Sequence, residues 1–247
     1  MTQDANLPIL ELCLLGGVEL RGAPAGVADQ LLAQSKAVAL LAFLVLSPGG
    51  RFQRRDRLVS LLWPELDQAH ARAALRKALF VSRTALGPDV LVSRGDDELA
   101  IAPEKLRCDV VEFESACNLG RLARALELYR GDFMPGFFLS GCLEFERWVD
   151  DQRTSARERA AAASWALAVT FEEEKQLTHA GSWARRTVRH AWDDERVLRR
   201  AVTMLDRLGD RAGAVKLYEE FAARLRAELD IAPSAETVTL VNTIRTR

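Results

Sequence analysis

Residues 71–87 read Ala-Arg-Ala-Ala-Leu-Arg-Lys-Ala-Leu-Phe-Val-Ser-Arg-Thr-Ala-Leu-Gly, with no proline and one glycine at the end. This stretch predicts a helix from Ala71 to about Leu86, with Gly87 as its C-cap. At about 100° per residue, Ala71, Leu75, Ala78, Leu79, Ser82 and Leu86 share an apolar or small face. Arg72, Arg76 and Arg83 fall on the adjoining side, and Phe80, Ala73, Thr84 and Lys77 follow beyond them. Such a helix has two readings. It is a surface helix with a solvated basic face, or it enters a DNA groove. In a groove, Arg and Lys meet phosphates and guanine edges, and small side chains allow close approach.

Charge is distributed in favour of the second reading. The whole chain of 247 residues has a net charge of −1, which does not advertise a nucleic-acid binder. Between Arg51 and Leu86, however, Arg51, Arg54, Arg55, Arg57, Arg72, Arg76, Lys77 and Arg83 face only Asp56, Glu65 and Asp67. Residues 108–247 are slightly acidic, with 21 basic against 23 acidic side chains. The positive charge is concentrated around the helix.

The flanking order is informative. Leu7–Leu15 reads as a strand, Gly16-Gly17 as a turn and Val18–Arg21 as a second strand, with Leu31-Leu32 offering a third. Ser35 is placed as N-cap of a buried helix from Lys36 to about Leu46, ended by Pro48-Gly49-Gly50. A second helix starts at Arg55 or Asp56 and runs through Leu62-Trp63, with Trp63 in the core. After the third helix, 90–94 and 98–101 read as two strands around Gly95-Asp96-Asp97. The expected fold class is mainly α with a small β-sheet. A winged helix-turn-helix, with an N-terminal sheet and a wing hairpin, occupies 1–107. An all-α helical-repeat domain of tetratricopeptide-like hairpins occupies 108–247.

The repeat is visible in the residues. Leu119-Gly-Arg-Leu-Ala-Arg-Ala-Leu-Glu-Leu-Tyr129 matches Leu208-Gly-Asp-Arg-Ala-Gly-Ala-Val-Lys-Leu-Tyr218 at Leu, Gly, Ala, Leu and Tyr. A weaker third copy is read from Leu177 through Ala184 to Val188. Breaks are expected near Gly131–Gly141, His179–Ser182, Gly209-Asp210 and Pro233. A plain helical bundle is the alternative.

Together, Arg55-Asp-Arg-Leu-Val-Ser-Leu-Leu-Trp63 and the 71–87 helix resemble the OmpR-type winged helix of SARP-like activators. The second half resembles the bacterial transcriptional activator domain that accompanies it. Its marks are Tyr129-Arg-Gly-Asp-Phe-Met-Pro-Gly-Phe-Phe138, Glu144–Trp148 and the stretch from Tyr218 to Thr237. The resemblance implies a sequence-specific transcription regulator with the 71–86 helix in the major groove. It also implies a wing at 90–101, and a loop at Pro64–His70, with Glu65 and Asp67, that meets RNA polymerase. Promoter direct repeats are the implied double-stranded DNA target. A homodimer on DNA and a peptide or protein partner for the helical domain remain open. The DNA-binding reading of the residues assigns Arg76, Lys77, Arg83 and Thr84 to bases or flanking phosphates. It assigns Arg72, Arg54 and Arg55 to the backbone, and Arg94 to the wing. Acids at Asp96, Asp97 and Glu98 would repel phosphates, so a weak wing contact is expected.

Other chemistry finds no support in the residues. Cys13, Cys108, Cys117 and Cys142 form no CxxC, and His70, His179 and His190 have no metal spacing. There is no GxSxG, HExxH or GxxxxGK[ST], so no enzyme activity, metal, cofactor or ATPase module is expected. Within this length no phosphopeptide module or receiver domain is expected either. The longest apolar run, Ala37–Leu46, is too short to span a bilayer, and no signal peptide is evident. A cytoplasmic protein is expected. The competing functional reading is a protein-interaction adaptor whose winged helix has weak or no DNA affinity.

Overall fold

The computed structural model describes residues 10–47 and 51–246. Residues 7–9 of the expected first strand and the Pro48-Gly49-Gly50 break lie outside the described residues. Packing divides the chain into two compact units. One comprises Met1–Ser115 with Leu128–Thr154, and the other Ala116–Glu127 with Ser155–Arg247. The units interleave along the chain and do not follow a single cut between 107 and 108.

In the first unit, β1 (Leu10–Cys13) pairs antiparallel with β2 (Glu19–Arg21) and parallel with β6 (Leu106–Cys108). Helix α1 (Ala25–Leu32) follows β2. The third strand read at Leu31-Leu32 is therefore the last turn of a helix. Leu31 is fully buried there, so a short apolar pair marked burial and not strand periodicity. Helix α2 (Ser35–Val45) is buried almost all round, as expected, but Gln34 is its N-cap and Ser35 its first helical residue. Strand β3 (Gln53–Arg54) leads directly into α3 (Arg55–Leu62), and α4 (Gln68–Leu86) follows. The wing strands β4 (Leu91–Arg94) and β5 (Glu98–Ile101) pair antiparallel, and β3 adds to the other edge of β5. Both β3 and β6 escaped sequence reading, because two or three residues are too few to show a period of two.

Helix α4 starts three residues earlier than the sequence suggested. Asp67 is its N-cap and accepts from the backbone N–H of Ala69 at 3.0 Å and of His70 at 3.1 Å. Its buried residues are Ala71, Leu75, Ala78, Leu79, Ser82, Ala85 and Leu86, the face read from the sequence plus Ala85. That face packs on α1, α2 and α3.

Residues 128–154 complete the core of this unit. Asp109, at the start of α5 (Asp109–Asn118), accepts from the N–H of Leu14 at 2.8 Å and of Leu15 at 3.0 Å, and Arg130 reaches it at 3.3 Å. Met134 N–H donates to the Leu14 carbonyl at 2.7 Å, and Gly16 N–H to the Asp132 carbonyl at 2.9 Å. Gly16 has φ +84°, and a Cβ there would lie 2.9 Å from the Arg130 backbone, so the two segments approach as closely as glycine permits. Trp148 collects Phe43 of α2, Phe133 and Phe145 around itself, with ring centroids 5.2, 5.7 and 5.3 Å away. Cys142 Sγ donates to the Leu62 carbonyl at the end of α3, at 3.3 Å.

The second unit is helical. It holds α6 (Leu122–Leu128) up to Glu127, then residues 155–173 of the long α7 (Leu143–Glu173). α8 (Leu177–His190), α9 (Glu195–Arg207), α10 (Arg211–Leu229) and α11 (Ala235–Thr246) follow. α8 packs on α9, α9 on α10, and α11 on both α9 and α10. Leu198, Ala201, Val202, Leu205, Ala214 and Phe221 lie in its core. The repeat read from sequence has a common geometry. Gly120 and Gly209 both end a turn at positive φ (69° and 83°), and the Ala five residues on, Ala125 and Ala214, is buried. The expected break at His179–Ser182 is absent, since α8 runs through it. The chain turns instead at Lys175, whose φ is 60°, and Ala180, five residues later, is fully buried. The third copy is therefore present in a different register from the one read, with Lys where the others have Gly.

Candidate nucleic-acid interface

The exposed side of α4 begins where its core face stops. Arg72, Ala73, Arg76, Lys77, Phe80 and Thr84 are exposed, and Arg83 is half-buried. Among the described residues, no carboxylate pairs with Arg76 or Lys77, and no hydrogen bond engages their side chains. Arg72 is different, because its Nη2 lies 3.0 Å from Asp56 Oδ1 of α3. Part of its charge is already answered within the protein. The Thr84 hydroxyl donates to the Phe80 carbonyl at 2.9 Å, which spends its proton inside the helix.

Arg83 and Arg55 converge on one hydroxyl. Arg83 Nη2 lies 3.3 Å from Ser93 Oγ and 3.4 Å from the Leu91 carbonyl. Arg55 Nη2 lies 3.4 Å from the same Ser93 Oγ, and the Arg55 backbone N–H donates to the Asp97 carbonyl at 2.8 Å. The Arg55 Nε is buried without a hydrogen-bond partner. Two guanidinium groups at one exposed serine concentrate positive charge there, an arrangement that suits an anionic oxygen. Ser93 escaped sequence analysis, since a lone serine in a strand carries no signal until the strand's register brings it to α3 and α4.

At the wing, Arg54, Glu98 and Arg94 stand side by side across β3, β5 and β4. Arg94 Nε binds Glu98 Oε2 at 2.5 Å, and its guanidinium stacks on Phe52, 4.6 Å from the ring centroid. The hydrogen bond from Arg94 holds the Glu98 carboxyl below its ordinary range, and the charge of Arg54 adds to this. Arg94 is thus committed to the wing itself, while Asp96 and Asp97 are exposed at the tip. Arg54 is exposed at the start of α3.

Residues Pro64–His70, expected as a loop, are exposed throughout, but only Pro64–Asp67 form the loop, because the Asp67 cap starts α4 at Gln68, and the two acids are held from within. Lys36 Nζ of α2 lies 2.6 Å from Glu65 Oε1, and this bond lowers the Glu65 carboxyl from its usual value. Backbone N–H donation by His70 does the same for Asp67, whose other oxygen lies 2.6 Å from the His70 ring. No group of His, Cys, Asp and Glu among the described residues could hold a metal ion. Cys13, Cys108, Cys117 and Cys142 form no disulfide.

Residues 112–245 match the family model described as bacterial transcriptional activator domain, over more than half of the chain. The chain belongs to this family. The family is one of transcriptional regulators and not of enzymes. The activator-domain match begins inside α5, so it takes in residues 128–154, which pack in the winged-helix unit. Among solved structures, the chain is similar to EmbR of Mycobacterium tuberculosis, solved in complex with a low-affinity phosphopeptide. The TM-score is 0.62 and the identity 22%, and the alignment covers 97% of this chain and 65% of that one. The chain therefore spans just under two thirds of that relative, and the likeness supports the winged-helix-plus-helical-domain fold. No curated protein is similar enough in sequence to match. No single helix among the described residues is long and apolar enough to cross a membrane.

Proposed function

We propose that this activator-domain protein is a sequence-specific DNA-binding regulator that places α4 in the major groove of promoter DNA. One observation carries the reading. α4 buries one complete face and leaves Arg76 and Lys77 on the other without a carboxylate partner. Arg76 and Lys77 are the base-reading candidates. Arg83 and Arg55 with Ser93 form a phosphate seat, and Arg54 and Arg72 flank it as backbone contacts. Thr84 offers its methyl group, since its hydroxyl is engaged. Arg94 contributes little, because Glu98 neutralises it. The exposed loop Pro64–Asp67, with Glu65 and Asp67, together with the first turn of α4 up to His70, faces the polymerase, and the protein acts in the cytoplasm on direct repeats.

Affinity measured against salt for Arg76→Ala and Arg54→Ala tests the division of roles. Loss of a base reader costs about 1–3 kcal/mol and relaxes site preference, whereas loss of a phosphate contact mainly lowers the salt slope, by about 1. Equal slopes and unchanged preference in both variants would reject the assignment.

The second unit supports an adaptor reading alongside. Arg224 stacks on half-buried Trp192, 4.4 Å from its ring centroid, beside a cavity of about 190 Å³ that Arg189 and Phe221 also line. An aromatic wall with two arginines suits a peptide side chain carrying an anion, and the EmbR neighbour was solved with a phosphopeptide. Quenching of tryptophan fluorescence by phosphorylated but not unphosphorylated peptides, lost in Trp192→Phe, is the expected result.

A further inference from the structure

Phe80 is the largest apolar side chain on the open face of α4, and it is 71% exposed. Its neighbours on that face are one or two helical turns away. Arg76 and Lys77 precede it by four and three residues, Thr84 follows by four, and Ala73 lies seven before. The two free cations stand one turn before the ring, Ala73 and Thr84 are short, and beside the ring opens a cleft lined by Val27, Gln30 and Ala33 of the α1 region. An exposed phenyl next to two unpaired cations has no use for a basic or neutral protein surface, because docking there would strip water from both charges without compensation. The occupant has to be anionic at its edges and apolar at its centre. The major groove of a thymine-containing duplex has both features, with phosphates along its walls and the thymine 5-methyl group projecting from its floor.

We propose that Phe80 packs on a thymine 5-methyl group and sets sequence preference at that base pair. The inference rests on the reading of α4 as the groove-entering helix. Sequence spacing already sets Phe80 on the cationic side of α4, away from the apolar face, and its exposure shows that no other part of the described chain covers it. The polar partners of the same helix then fix position and charge, and Phe80 supplies a contact that no hydrogen-bonding group can mimic.

The test uses the full chain and a duplex it selects from fragments of its own genome. Each thymine is replaced in turn by deoxyuridine, which removes the methyl group and leaves pairing intact. At one or two positions wild-type affinity falls about three- to tenfold, the scale of one lost methyl contact. Phe80→Ala loses a similar factor on the thymine duplex and shows no further loss with uracil. Its salt slope matches wild type, whereas Arg76→Ala has a different site preference. Because Phe80 lies outside the core, the variant keeps its fold, which circular dichroism verifies. Wild-type indifference to every replacement, or persistent thymine discrimination in Phe80→Ala, overturns the proposal while leaving DNA binding intact. If the wild-type chain selects no fragment over generic duplex, the groove-helix reading fails and this inference falls with it.

Discussion

Arg76 and Lys77 differ from Arg72 and Arg94 in what surrounds them. Arg72 has Asp56 at 3.0 Å and Arg94 has Glu98 at 2.5 Å, while the first pair is free among the described residues. A paired cation offers DNA less, since part of its attraction is already used. Sequence spacing placed Arg72, Arg76 and Lys77 off the apolar face of α4, and all three are exposed. It could not rank them, because the ranking depends on acids brought in from other elements. Glu65 shows the same limit, since its partner Lys36 lies 29 residues away on α2. The wing acids lead to a prediction at this scale. Converting Asp96 and Asp97 together to Asn removes two charges that face the phosphates. DNA affinity is expected to rise several-fold at low ionic strength, with the gain shrinking as salt is added. Anisotropy titrations at two salt concentrations measure it, and an unchanged affinity at both would show that the wing tip stays far from DNA.

At the level of elements, long periodic segments were legible and short ones were not. α4 and α2 have enough turns for a face to emerge, and both were found within three residues of their true starts. α1 was misread because its two adjacent leucines fit a strand as well as a helix. The turn before α8 was misplaced because it uses Lys175 at φ 60°, where a glycine would have announced it. That substitution makes a paired prediction. Gly209→Ala has open space around the new Cβ, so only the left-handed backbone opposes it, at a cost of about 1–2 kcal/mol. Lys175→Gly relieves the same strain and gains up to about 1 kcal/mol, offset in part by the freer unfolded chain. Urea unfolding of the two variants should move the midpoint in opposite directions. A shift in the same direction would remove the shared-turn account of the repeat.

For the whole molecule, the sequence shows two compositional halves, but the packing units interleave. Residues 128–154 belong with the winged helix because Phe133, Phe145 and Trp148 fill its core and Met134 and Asp132 bond to the end of β1. Long-range assembly of this kind leaves no periodic mark, so the boundary at 107 follows only from the change between the strand-and-helix order before it and the helical repeats after it. A fragment ending at residue 107 would expose Phe43 and lose the carboxylate of Asp109, which satisfies the N–H groups of Leu14 and Leu15. Each orphaned buried N–H costs about 1–3 kcal/mol, which is a large share of the stability of a small domain. The 1–107 fragment should therefore lack a cooperative thermal transition, while 1–154 should show one. Cooperative unfolding of the shorter piece would mean that residues 128–154 are dispensable to the winged helix.

Reading of DNA sequence by α4 is tested most directly by one ratio, the affinity of the full chain for its selected genomic fragment over that for a scrambled duplex at physiological salt. The expected ratio is at least about 10³, falling toward unity when Arg76 and Lys77 are both replaced by Ala. A wild-type ratio near one, or a large ratio that survives the double replacement, would contradict the account.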